Sequence, residues 1–166
     1  GHVTGVQTCA LPISDIQMVL DVCTSLPATD ADIRLALERT HAWAIRAKAA
    51  HTRADQSLFG IVQGGIHEQM RRESALRTVD VGFDGYAIGG LSVGETRQEM
   101  IPALAAAIEH LPKDQPRYLM GVGDPASIVE SVALGVDQFD CVLQTRLGRH
   151  GTALTSVGKV HVKNAK

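Results

Sequence analysis

The chain has 166 residues, 45% of them hydrophobic and 20% charged, with a formal net charge of −2, which is the make-up of a folded globular domain and excludes disordered, collagen-like and coiled-coil classes. No stretch approaches the roughly 18 consecutive apolar residues of a membrane-spanning helix. Three scattered cysteines, Cys9, Cys23 and Cys141, form neither a disulfide framework nor a Cys-x-x-Cys metal pair, so a reducing, cytoplasmic setting is expected.

Taken in chain order, residues 1–14 show neither a clustered positive n-region nor a long apolar run, so they do not read as a secretory signal. Val3 to Ile13 resembles the conceptual translation of a short-read sequencing adapter, and 1–14 is set aside as a non-native leader. From Asp15 onward, short apolar runs alternate with helical patterns, the signature of βαβ units and a parallel sheet. Five strands are predicted: Ile16 to Leu20, Leu58 to Gln63, Gly85 to Leu91, Tyr118 to Val122 and Gln138 to Leu143. Between them, Thr29-Asp30-Ala31-Asp32 predicts a capping box opening a helix towards Ala50. A second helix is expected from about His67 to Val79, ending near Gly82. Pro102 is read as the first-turn proline of a helix towards Leu111, and Asp124-Pro125 as cap and first turn of one closed by Gly135.

Five βα units without a Gly-x-Gly-x-x-Gly after the first strand favour a (β/α)8 TIM barrel over a doubly wound sheet. A whole barrel needs about 250 residues, so an incomplete barrel is expected over 15–166, with the alternating segment from Val160 reading as if cut mid-domain. Charge is uneven along it. Residues 1–140 hold 11 of the 16 Lys and Arg and all 18 Asp and Glu, whereas 141–166 hold five basic residues, Arg146, Arg149, Lys159, Lys163 and Lys166, and no acid. That segment is a candidate phosphate-binding surface, although short basic stretches are also ordinary solvated faces.

Barrel chemistry collects where strands end. The residues there are Asp21-Val22-Cys23-Thr24, Gln63-Gly64-Gly65, Gly89-Gly90-Leu91, Met120-Gly121-Val122-Gly123 and Asp140-Cys141. Two carboxylates, one side-chain amide and several glycines suit a planar polar ligand such as a nucleobase. The carboxylate accepts from ring and exocyclic N–H groups, the amides donate to a carbonyl oxygen, and Met120 covers the flat face. A second carboxylate near a sugar can attack an anomeric carbon and form a covalent intermediate. Spacing alone defines a pocket without a reaction, because strand-terminal aspartates also cap helices and glycines also simply make turns.

The blocks Leu58-Phe59-Gly60-Ile61-Val62-Gln63-Gly64-Gly65, Gly82 to Glu95, Tyr118-Leu119-Met120-Gly121-Val122-Gly123 and Phe139-Asp140-Cys141-Val142-Leu143 add a further signal. Together they make Asp15 to Lys166 resemble the catalytic barrel of the bacterial tRNA-guanine transglycosylases. The resemblance implies that Asp140 is the nucleophile that displaces guanine at the tRNA wobble position. It implies that Asp21 and Gln63 read the purine edge, that Gly89, Gly90 and Leu91 contribute backbone to the base, and that Met120 stacks on it. Thr145, Arg146 and Arg149 match positions that reach the anticodon loop. Cys23 and Val93 match the bacterial pocket, pointing to the 7-deazaguanine preQ1 as incoming base in queuosine synthesis.

Implied partners are therefore the tRNA anticodon loop, guanine, preQ1 and, in the complete protein, a second copy of the chain. A structural Zn²⁺ is also implied, with its ligands expected beyond Lys166 and none within this chain. Two departures from the family pattern stand out: Val22 where Glu is usual and Gln144 where Pro is usual. The alternatives are an archaeosine-type transglycosylase, a non-catalytic tRNA-binding or accessory subunit, and a barrel enzyme acting on another nucleoside.

Overall fold

The computed structural model describes residues 13–162; nearly all of the leader, together with Cys9, Lys163 and Lys166, lies outside the described residues. Five parallel strands, β1 (Ile16–Met18), β2 (Ser57–Val62), β3 (Gly85–Ile88), β4 (Arg117–Leu119) and β5 (Gln138–Phe139), form one sheet. Helices α1 (Asp30–Ala50), α2 (Glu68–Val81), α3 (Arg97–Ile108) and α4 (Pro125–Leu134) make the four crossovers between them. Strand order in space equals strand order in sequence. A doubly wound sheet reverses direction at a switch point and a barrel does not, so this is the incomplete (β/α)8 arrangement expected. After β5 come α5 (Leu143–Arg149) and an antiparallel hairpin of β6 (Thr152–Thr155) and β7 (Gly158–His161).

The central strands carry the core. β2 is buried along nearly its whole length and β3 throughout, as strands covered on both faces must be, and both accordingly read as near-continuous apolar runs. Leu58, Ile61, Ile88, Leu104 and Leu119 are completely or almost completely buried, each contributing roughly 1.5–3 kcal/mol of transfer free energy.

Helix ends follow local chemistry. Thr29 and Asp32 form the reciprocal capping box at α1, Asp124 caps α4 through Ser127 N, and Gly135 closes α4 in the left-handed conformation. α3 departs from expectation: it starts at Arg97, under a second capping box of Thr96 and Glu99, and Pro102 lies inside it. Pro102 removes one intrahelical donor, but it lies on the exposed side of the helix, as does Gln98 four residues before it. The two orphan donors satisfied at Thr96 therefore set the helix start. Thr96→Ala is expected to lower stability by about 1 kcal/mol, measurable as a shift in the urea midpoint with an unchanged m-value.

β2 is as long as predicted but shifted by one residue, while the other four strands are shorter, β3 and β5 stopping where the apolar run meets Gly89 and Asp140. The largest difference is at Gln138 to Leu143, where the strand stops at Phe139 and Leu143 already begins α5. A short apolar run does not distinguish strand from helix by periodicity.

A candidate base-exchange site at the strand ends

The predicted residues fall into two groups at the C-terminal ends of the strands. In the first, the Gln63 amide nitrogen donates to Asp21 Oδ2 at 2.6 Å. Gln63 is only 2% exposed, and its place is set by the backbone: its N–H donates to Ser74 Oγ on α2 at 3.0 Å. Asp21 is placed by its neighbour, since Val22 N donates to the buried Thr40 hydroxyl on α1 at 2.9 Å. The Val22 side chain has no part in that bond, which explains how the loop keeps its course with Val in place of Glu.

Gly89 and Gly90 lie flat against this pair. A Cβ on Gly89 would stand 2.8 Å from Gln63 Nε2 and 3.2 Å from Asp21 Oδ2, and one on Gly90 would stand 2.2 Å from Gln63 Oε1. Gly90 also has φ +64°, so a side chain there is excluded by both space and backbone conformation. Leu91 is buried, while Cys23 is exposed at the rim. Partial burial and the neighbouring Asp21 carboxylate push the Cys23 thiol up from its ordinary value, so it stays protonated and is no nucleophile at neutral pH.

The second group surrounds Asp140. The Tyr118 hydroxyl donates to Asp140 Oδ1 at 2.6 Å and Gly121 N donates to the same oxygen at 2.8 Å. Oδ2 accepts no hydrogen bond from the described residues and Asp140 is exposed. Burial, and then the bond to Asp140, drive the Tyr118 phenol far above its usual range, so it remains a donor at every working pH. Met120 joins the two groups. Its N–H donates to Ile88 O at 3.1 Å, between the β3 end with Gly89 and the Gly121–Asp140 contact, and its half-buried side chain packs on the core. Thr145, Arg146 and Arg149 are exposed on or beside α5, which begins three residues after Asp140. The Thr145 hydroxyl is turned to its own helix, donating to Val142 O at 3.1 Å.

Tyr118 and Arg71 are the residues that sequence reasoning missed. Tyr118 stands two positions before Met120, so strand alternation already placed them on one face. Arg71 belongs to the buried stripe Arg71, Ser74, Ala75 and Thr78 on α2, a helical i, i+3, i+4, i+7 pattern. That stripe is polar or small, and a search for apolar periodicity passes over it.

The fold and these strand ends define a barrel-type α/β protein whose strand ends gather a polar, glycine-lined cluster and a separate carboxylate held by one oxygen. Residues 8–166 match the family model described as queuine tRNA-ribosyltransferase, and the chain belongs to that family. It is 51% identical over 152 residues to the queuine tRNA-ribosyltransferase of Halothermothrix orenii, covering 92% of this chain and 41% of that protein. It is 56% identical over 154 residues to that of Caulobacter vibrioides, covering 92% and 42%, and 54% identical over 153 residues to that of Thermotoga maritima, covering 90% and 41%. The chain thus spans about two-fifths of the length of the curated relatives it matches.

The Zn²⁺ implied by the family finds no donor set here: among the described residues no group of three or more His, Cys, Asp or Glu is placed to hold a metal. No helix among them is long and apolar enough to cross a membrane.

Gln144 occupies the second position of α5 and its side-chain amide donates to Gly123 O. A first-turn N–H has no intrahelical acceptor, so proline fits there as well. Gln144→Pro is therefore expected to leave the melting temperature within about 3 °C, since it exchanges one tether for a stiffer backbone; differential scanning calorimetry checks this.

Proposed function

We propose that this chain forms the base-exchange site of a tRNA-guanine transglycosylase, replacing guanine at the wobble position with the 7-deazaguanine preQ1. The observation that carries the reading is the Asp140 carboxylate. Tyr118 and Gly121 hold it by Oδ1 and leave Oδ2 without a bond from the described residues, at the same end of the sheet as the Asp21–Gln63 pair.

Asp140 Oδ2 attacks C1′ of the wobble ribose while the C1′–N9 bond breaks, and guanine leaves with the bonding pair and takes up a proton. The incoming deazaguanine gives up a proton and attacks the same carbon, releasing the carboxylate. One glycosidic bond is exchanged for another, so no external energy source is required. The anionic nucleophile also offsets positive charge developing on the ribose in an oxocarbenium-like transition state.

Asp21 accepts N–H groups of the purine edge, and Gln63 with the Gly90 and Leu91 amides donates to its carbonyl oxygen. Gln63 and Asp21 hold each other at 2.6 Å, so a ligand that covers this pair without groups matching its remaining donor and acceptor sites desolvates it without return, and this mismatch selects a guanine-like base. Arg146 and Arg149 project from the helix that follows the nucleophile. There they meet backbone phosphates of an anticodon loop whose target nucleotide is turned out of its stack.

The test is incorporation of radiolabelled guanine into unmodified tRNA bearing guanine at the wobble position, using a full-length protein that contains this segment. Exchange that preQ1 competes away supports the reading. Tight tRNA binding with no exchange overturns it and favours a non-catalytic tRNA-binding subunit.

A further inference from the structure

The structure holds two fully or nearly buried arginines that bind backbone carbonyls, one at each end of the sheet. Arg117, at the start of β4, donates to Pro112 O, Gly135 O and Leu111 O. It lies at the N-terminal face, where barrels place stability rather than chemistry. Arg71 is its counterpart at the other face. It is 0% exposed, and four of the five N–H groups that a guanidinium carries are used on carbonyls. Nε donates to Gly65 O at 2.7 Å, one terminal nitrogen to Val62 O at 3.2 Å and Gly89 O at 2.6 Å, and the other to Gly90 O at 2.9 Å. Two strand-end loops are thereby tied to one rigid plane. Burial pulls the guanidinium down to about 10, which leaves it charged at neutral pH.

Those bonds dictate where the opposite edges of the same peptides point. A trans peptide is planar, with its C=O and N–H antiparallel. Anchoring the Gly89 carbonyl on Arg71 therefore aims the Gly90 N–H away from Arg71, and anchoring the Gly90 carbonyl does the same for the Leu91 N–H. The first of these lies against the Cys23 thiol at the rim of the cluster, and the second meets no acceptor among the described residues. Gly90 at φ +64° is the joint that would let this peptide turn over if its anchor were lost. A buried cation on the carbonyl side also polarises both peptides and strengthens their N–H groups as donors.

We propose that Arg71 is the positioning residue for base recognition, clamping the Gly89 and Gly90 carbonyls so that the Gly90 and Leu91 amides face the carbonyl oxygen of the base. The proposal rests on the base-exchange reading above, and its distinctive consequence is a defect in base affinity that spares tRNA affinity.

The experiment uses a full-length protein containing this segment and its Arg71→Lys variant, which keeps the charge and loses the planar fork. The KM for guanine is expected to rise about tenfold, the equivalent of losing one oriented hydrogen bond, while the KM for tRNA, measured well below the lowered melting temperature of the variant, stays close to that of the unsubstituted protein. Arg117→Lys makes the same change in the carbonyl-binding arginine of the opposite face and should leave guanine KM within about twofold. A guanine KM that is unchanged in Arg71→Lys, or that rises together with the KM for tRNA, overturns the proposal.

A second measurement needs no variant. In the unsubstituted protein, the ¹⁵N-labelled Gly90 and Leu91 amides should shift and slow their hydrogen exchange when guanine is added; amides that do not respond overturn the assignment. If they respond but guanine is never transferred to tRNA, the positioning role stands and the base-exchange reading fails instead.

Discussion

Asp140→Asn, in a full-length protein containing this segment, is expected to abolish the covalent tRNA adduct and lower guanine exchange by about 10⁴-fold or more, because the reaction loses its nucleophile. Asn keeps a carbonyl oxygen able to accept from the Tyr118 hydroxyl and Gly121 N, now at 2.6 and 2.8 Å from Oδ1, so the strand end retains its course. What is lost is the anionic Oδ2. The substitution should therefore leave guanine affinity and the melting temperature almost unchanged, a separation that a misfolded variant would not show. Denaturing gel electrophoresis of enzyme trapped with tRNA reads the adduct directly. An adduct that survives removes Asp140 from the role of nucleophile.

The second large effect is expected at the base. Asp21→Ala removes the acceptor of the 2.6 Å bond from Gln63 and leaves a buried amide group unpaired, together with the purine N–H groups that the carboxylate would have met. Losing a hydrogen bond to a charged group costs about 1.5–3 kcal/mol, equivalent to roughly 10- to 150-fold in the KM for guanine. Because Asp21 does not touch Asp140, turnover at saturating guanine should fall much less than kcat/KM. Steady-state kinetics at saturating tRNA separates the two. Equal losses in kcat and kcat/KM would instead place Asp21 in the bond-breaking step. The contrast with Asp140→Asn follows from the roles proposed above, in which one carboxylate recognises the base and the other reacts with the sugar.

The two groups also differ in how legible they were. Asp21, Gln63, Gly89 and Gly90 stand at successive strand ends, and in a parallel barrel successive strand ends are neighbours, so their order along the chain already implied a common site. The Asp21–Gln63 bond agrees with that inference. Asp140 was found the same way, but its partners were not. Tyr118 reads as one more residue of a buried strand until β4 and β5 are set side by side, with Tyr118 paired to Gln138 in register. Pro102 misled for a different reason. A first-turn proline and an exposed interior proline look alike in sequence, and only the reciprocal bonds of Thr96 and Glu99 show where the helix begins.

Local chemistry by itself determined the alternation of strands and helices, the capping boxes and the left-handed close at Gly135, because these depend on residues within one or two turns of each other. The family blocks likewise singled out Asp140 and the Asp21, Gln63 and Gly90 positions as the candidates. Only the tertiary structure decided that β5 stops at Phe139, that Asp140 is held by one oxygen alone, and that Arg71 faces inward onto four carbonyls from two loops. A charged residue is ordinarily assigned to a helix's wet face, since burying it costs several kcal/mol without partners. Arg71 avoids that cost through carbonyls supplied by residues six to nine positions before it and eighteen to nineteen after it, which come within reach only when the sheet is assembled.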